Sequence, residues 1–156
     1  KVTIDLPLEK PAEWFLPELV INPKMQIAVL DDDKSIHHIW KQRLGDPKFS
    51  DVKVQSFVQS TDFCDWVKCL SPLEKSLALF LVDYELIDQN INGLDVIESL
   101  GIAEQSILVT SHYDSTEVLS RAGWLGVKVL PKALARVVVV RFDKTPHCQS
   151  QPPLLV

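Results

Sequence analysis

Cysteine is scarce in this chain of 156 residues: Cys64, Cys69 and Cys148 are the only three. They are too few and too unevenly placed for a disulfide scaffold, so an apolar core must hold the fold, and the expected compartment is the reducing cytoplasm. No His or Cys pair with zinc-site spacing has a matching second half. Basic residues are in deficit, with 16 Lys and Arg against 21 Asp and Glu and a net charge of −5. No basic stripe offsets that acidity, which argues against nucleic-acid binding. Long apolar runs are also missing. Leu77–Val82 and Val137–Val140 fall far short of the roughly 20 residues of a membrane span, so no membrane contact is expected of this segment. There is no internal repeat and no signal-peptide pattern. A start at Lys1 rather than Met reads as a piece of a longer protein.

The chain does have an ordinary supply of core material, 46% apolar residues with 24% charged, enough for one domain with extensions. Lys1–Leu8 alternates Val2, Ile4 and Leu6 with polar residues, the period of a half-buried strand. Glu9–Pro23, broken by Pro11 and Pro17, reads as an extended linker carrying Trp14 and Phe15. An arm packed on the main domain is the alternative. From Met25 onward, strand and helix patterns alternate. Strands are expected at Gln26–Leu30, Val52–Val58, Leu77–Val82, Ile107–Thr110 and Val127–Leu130. The helices between them are expected at Ser35–Leu44, from a Ser60-Thr61-Asp62 cap to about Leu70, at Gly93–Leu100 and at Ser115–Ala122. Ala133–Phe142 is assigned to a last helix, against the poor helix propensity of four consecutive valines. Thr145–Val156, with Pro146, Pro152 and Pro153, reads as a flexible tail. Such alternation implies right-handed βαβ units and a doubly wound parallel α/β sheet with helices on both faces.

Chemistry-bearing residues gather at the carboxyl ends of these strands, where ligands of an open parallel sheet bind. Asp31-Asp32-Asp33 follows the first strand of the alternating region, Asp83 the third, Thr110 and Ser111 end the fourth, and Lys132 follows the fifth. Crowded carboxylates raise one another's pKa unless a cation neutralises them. Oxygen ligands of this kind suit Mg²⁺ with phosphate oxygens. A lysine and a hydroxyl supply most of the rest that phosphoryl transfer needs, which is positioning and charge neutralisation. Taken singly, the aspartates are as well explained as a helix cap, Thr110 as a strand end and Lys132 as a surface lysine. His37 and His38 read as a solvated helix face, and Trp40, Trp66 and Trp124 as core or partner contacts.

In this order, the acidic pair, the later Asp, the hydroxyl and the Lys make residues 24–143 resemble the receiver domain of two-component response regulators. The resemblance implies a flavodoxin-like sheet of strand order 2-1-3-4-5, with Asp83 as phosphoacceptor. It further implies Mg²⁺ on Asp31, Asp32, Asp83 and the backbone carbonyl of Glu85, with Thr110 as switch hydroxyl and Lys132 on the phosphate. The implied partner is a histidine kinase or a histidine phosphotransfer protein. Lys1–Leu8 looks like the last strand of a kinase ATP-binding domain, so the layout 1–23, 24–143 and 144–156 is similar to the end of a hybrid sensor kinase. The chain departs from the family pattern in several places. The loop from Asp83 to Gly93 is long, with Ile87 where Pro is usual. Ala133 follows Lys132 where Pro is usual, and Val129 stands where an aromatic switch is common. Two other classes remain open: a pseudo-receiver acting as an interaction module, and a haloacid-dehalogenase-like phosphatase with Asp31 as nucleophile.

Overall fold

The computed structural model describes residues 10–143. The strand expected at Lys1–Leu8 and the tail expected at 144–156 lie outside the described residues. Within them, β1 (Glu18–Ile21) precedes an alternating series: β2 (Gln26–Leu30), α1 (Lys34–Leu44), β3 (Lys53–Phe57), α2 (Ser60–Cys69), the short α3 (Pro72–Ser76), β4 (Ala78–Val82), α4 (Gly93–Leu100), β5 (Ser106–Thr110), α5 (Thr116–Leu125) and β6 (Lys128–Pro131). A final strand, β7 (Val139–Phe142), closes the series. Five strands form one parallel sheet in the order β3-β2-β4-β5-β6, which is the flavodoxin-like order expected.

The central strands β4 and β5 are buried along their whole length, as continuous apolar runs in a two-sided parallel sheet require. On one face, Phe63 and Val67 of α2, Leu94 and Ile97 of α4, and Val118 and Ala122 of α5 pack against Ala28, Phe80 and Leu108. On the other, Ile36, Ile39 and Trp40 of α1 pack against Ile27, Val29, Leu81 and Val109. Trp40 is a core residue, as expected, whereas Trp124 is 77% exposed.

Two expectations are overturned. The last helix at Ala133–Phe142 does not form. One helical turn follows Lys132, with Ala135 N–H on the Lys132 carbonyl and Val138 N–H on the Leu134 carbonyl. The chain then becomes extended as β7, where the β-branched Val139 and Val140 favour the strand. Its partner is β1, parallel, from Glu18 opposite Val139 to Ile21 opposite Phe142. The same pairing decides between the linker and arm readings of the segment before Met25: residues 10–23 include a packed arm. Leu19 and Ile21 are 1% and 0% exposed and, with Ala135 and Val138, cover the sheet beside α1. Pro17 and Pro23 bracket so short an alternating run that its strand period is easily overlooked. The α2 cap differs as well. Gln59 rather than Ser60 occupies the cap position without a side-chain bond, and the Ser60 amide is capped by Gln89 Oε1 at 2.7 Å.

A packed arm has a measurable cost when truncated. Leu19→Ala is expected to lower unfolding free energy in urea by about 2–5 kcal/mol, whereas a residue in a free linker would change it by less than about 0.5 kcal/mol.

Candidate functional site: a buried carboxylate pair and its lysine

β2 and β4 are neighbours with Leu30 opposite Val82, so the residues after them emerge side by side. The ladder runs one residue further on both strands. Asp31 N–H donates to the Phe57 carbonyl (3.1 Å) and Asp83 N–H to the Leu30 carbonyl (2.8 Å), which fixes both backbones. α4 starts directly beneath, at Gly93, whose amide donates to the Tyr84 carbonyl at 2.9 Å. A Cβ on Gly93 would collide with the Asp83 carbonyl oxygen, so glycine permits this close approach.

Asp31 and Asp83 are 1% and 4% exposed. Lys132, at the end of β6, reaches across β5 and donates to Asp83 Oδ2 at 2.6 Å and to Asp31 Oδ1 at 3.1 Å. The Lys132–Ala133 bond is trans, as are the peptide bonds of all described residues, and the ammonium still meets both carboxylates. Asp31 Oδ1 also accepts the Asp33 amide at 2.8 Å. Asp33 is the N-cap of α1, accepting from Ser35 N–H at 2.8 Å. The capping and site readings of the acidic run are therefore both realised, on different residues.

One ammonium between two buried carboxylates leaves negative charge in excess. Burial pushes the Asp83 carboxyl up to about 6; its hydrogen bond to Lys132 opposes that rise and the neighbouring Asp31 charge adds to it. Asp31 is also raised, again by burial, against the pull of the Asp33 amide and Lys132. Burial alone would lower Lys132, but Asp83 and then Asp31 outweigh it and hold the ammonium above its ordinary value.

The donor set fits a hard cation. Asp31, Asp32 and Asp83 each offer a carboxylate oxygen, all within 4.8 Å of one another. Asp31 Oδ2 is buried without a hydrogen bond; Lys132 Nζ lies 3.0 Å away, out of line for one. An all-oxygen group with an orphaned, buried carboxylate oxygen is what Mg²⁺ would satisfy.

The remaining expected residues make contacts of their own. Thr110 is fully buried and its Oγ1 accepts the His112 amide at 3.0 Å. The exposed Glu85 side chain meets His112 Nε2 at 3.0 Å. Two contributors escaped the sequence reading. His37, read as a solvated face, donates from Nε2 to the Asp31 carbonyl at 2.7 Å. Its position in the first turn of α1, six residues after Asp31, was the available signal. Gln89, in the long loop after Asp83, grips the β3–α2 turn with both carboxamide atoms, at Ser60 N–H and the Val58 carbonyl (3.2 Å). No local pattern announces that contact.

No family model matches the chain, and no curated protein sequence does. Solved structures do match in fold. The Francisella response regulator 1452 receiver domain has a TM-score of 0.55 at 17% identity, covering 72% of this chain and 85% of that one. The receiver domain of the histidine kinase CKI1 from Arabidopsis thaliana, complexed with Mg²⁺ and BeF₃⁻, has a TM-score of 0.57 at 14% identity, covering 73% and 85%. A Burkholderia pseudomallei response regulator with a phosphorylated aspartic acid and a calcium ion has a TM-score of 0.52 at 14% identity, covering 78% and 61%. The chain thus has the fold that response-regulator receiver domains share.

Asp83, with its pKa raised above the unfolded value near 3.8, stabilises the fold below about pH 4 and loses that contribution as pH rises through about 6. In metal-free buffer, Asp83→Asn is therefore expected to raise stability at pH 7.5 by roughly 1–3 kcal/mol, a gain that fades toward pH 4. Lys132→Met should do the reverse at pH 7.5, because it leaves two buried carboxylates unpaired. Denaturant titrations at the two pH values measure both.

Proposed function

We propose that the chain is a phosphoacceptor module of a two-component phosphorelay, taking a phosphoryl group from a phosphohistidine onto Asp83. The observation that carries this reading is the Asp31–Asp83–Lys132 cluster at the carboxyl ends of three parallel strands. An Asp83 oxygen attacks phosphorus as the P–N bond breaks; the electron pair stays on the imidazole nitrogen, which takes a proton from solvent. Lys132 is already within hydrogen-bond reach of Asp83 and neutralises charge on the transferred group's oxygens. Asp31, Asp32, Asp83 and the Glu85 carbonyl would hold Mg²⁺, which supplies further charge neutralisation when bound. Thr110 would have to exchange the His112 amide for the phosphoryl group in order to act as a switch hydroxyl. Placement at the end of a cytoplasmic hybrid kinase belongs to the same reading and has only the Lys1–Leu8 pattern behind it.

Acetyl phosphate with Mg²⁺ tests the reading by intact mass. The wild type should gain one phosphoryl group, while Asp83→Asn and a chelator-treated sample gain none. A wild type that stays unmodified would make the module a pseudo-receiver. Retention in Asp83→Asn with loss in Asp31→Asn would point to the phosphatase arrangement.

Glu85 and His112 bridge the loops that follow Asp83 and Thr110. Replacing both with Ala should shorten the lifetime of the Asp83 phosphoryl group by freeing the approach of water, measured as phosphate release. An unchanged half-life would deny the bridge that role.

A further inference from the structure

The N-terminal arm pairs with the chain on both sides of Lys132, with β6 before it and with β7 after it. Upstream of the lysine, Phe15 forms a parallel bridge with Val129. Val129 N–H donates to the Trp14 carbonyl at 2.8 Å, and Leu16 N–H donates to the Val129 carbonyl at 3.0 Å. The Lys128 ammonium adds a bond to the Glu13 carbonyl. β6 is otherwise the edge of the five-stranded sheet, so the arm supplies its outer partner and covers an edge that sheets do not leave open. Downstream, β1 pairs with β7 along its whole length, with Asp143 N–H on the Ile21 carbonyl at 2.9 Å. Between the two contacts, Arg43 of α1 donates to the Ala135 carbonyl (2.7 Å) and to the Val138 carbonyl. The backbone around Lys132 is thereby held from outside at Val129, Ala135, Val138 and Val139–Phe142.

Lys132 now sits on the Asp83 carboxylate itself. A phosphoryl group would place its oxygens beyond that carboxylate, and an ammonium following them outward would load the backbone that carries it. The β5 ladder and the β1–β7 pairing are continuous, whereas the arm holds Val129 through two backbone bonds. That attachment, with the Lys128–Glu13 bond beside it, is the shortest pairing in the path.

We propose that residues 13–21 are a strap coupling the occupancy of Asp83 to the chain on the N-terminal side of the strap: a phosphoryl group on Asp83 loosens the Trp14–Leu16 attachment to Val129 while β1 stays paired. The inference rests on the acceptor reading above. Coupling of this kind is reciprocal. A strap weakened by mutation must favour the occupied site, which lacks the strain of pulling against it.

Amide hydrogen exchange by NMR on the whole chain, with and without Mg²⁺ and beryllofluoride, tests the strap. Exchange at Leu16 and Val129 should accelerate about tenfold in the complex, while β2 and β4 amides keep their protection. Shifted Tyr84 and Lys132 resonances with unchanged exchange at Leu16 and Val129 would overturn the strap and leave the acceptor reading intact. No shift at Tyr84 or Lys132 would overturn both. Leu16→Pro, which removes the donor to Val129, should tighten beryllofluoride binding by about fivefold. Equal or weaker binding refutes the coupling.

Discussion

Two carboxylates buried side by side must share one ammonium, and that constraint governs the centre of this molecule. Asp31 and Asp83 come together because β2 and β4 are in register and end together. Neither has access to water that would solvate its charge. Lys132 pairs with both, yet burial still raises both carboxyl pKa values, and Asp31 Oδ2 is left without a hydrogen bond. A charge imbalance of this size is destabilising for folding alone. It becomes intelligible if a divalent cation completes the site, since the cation supplies the positive charge that the two carboxylates lack.

The rest of the fold holds that cluster in place. α4 begins against Asp83 with no room for a side chain at Gly93. His37 ties the Asp31 carbonyl to α1, and Gln89 ties the loop after Asp83 to the start of α2. On the far side, Lys132 is held by an arrangement of a different kind. A parallel ribbon of β1 and β7 stands where a last helix was expected, and its inward residues Leu19 and Ile21 complete the core. The position of the ammonium that pairs with Asp83 thus depends on a segment more than a hundred residues away in sequence.

Much of this was legible in the chain. Gln26–Leu30 and Leu77–Val82 read as buried strands because nothing polar interrupts them, and aspartates placed directly after such runs had to lie at the sheet's carboxyl edge. The Asp31, Asp83 and Lys132 positions followed from that, and the strand order from the resemblance to receiver domains. The failures have physical causes. Residues 133–142 combine a helical turn with a valine run, and the outcome depended on whether a strand partner existed, which Glu18–Ile21 provides. That partner was hidden between Pro17 and Pro23. His37 and Gln89 act through backbone atoms of distant segments, contacts that no local periodicity encodes. Thr110 was correctly placed at the strand end, but its hydroxyl is held by its own loop.

The central claim is chemical and concerns one atom pair, an Asp83 carboxylate oxygen bonded to phosphorus. Treating the chain with a small-molecule phosphodonor and Mg²⁺, reducing the acyl phosphate with borohydride and mapping the product by peptide mass spectrometry locates that bond. The account predicts a single reduced residue, at position 83, absent when Mg²⁺ is chelated. Reduction at Asp31 instead, or at no aspartate, would contradict it.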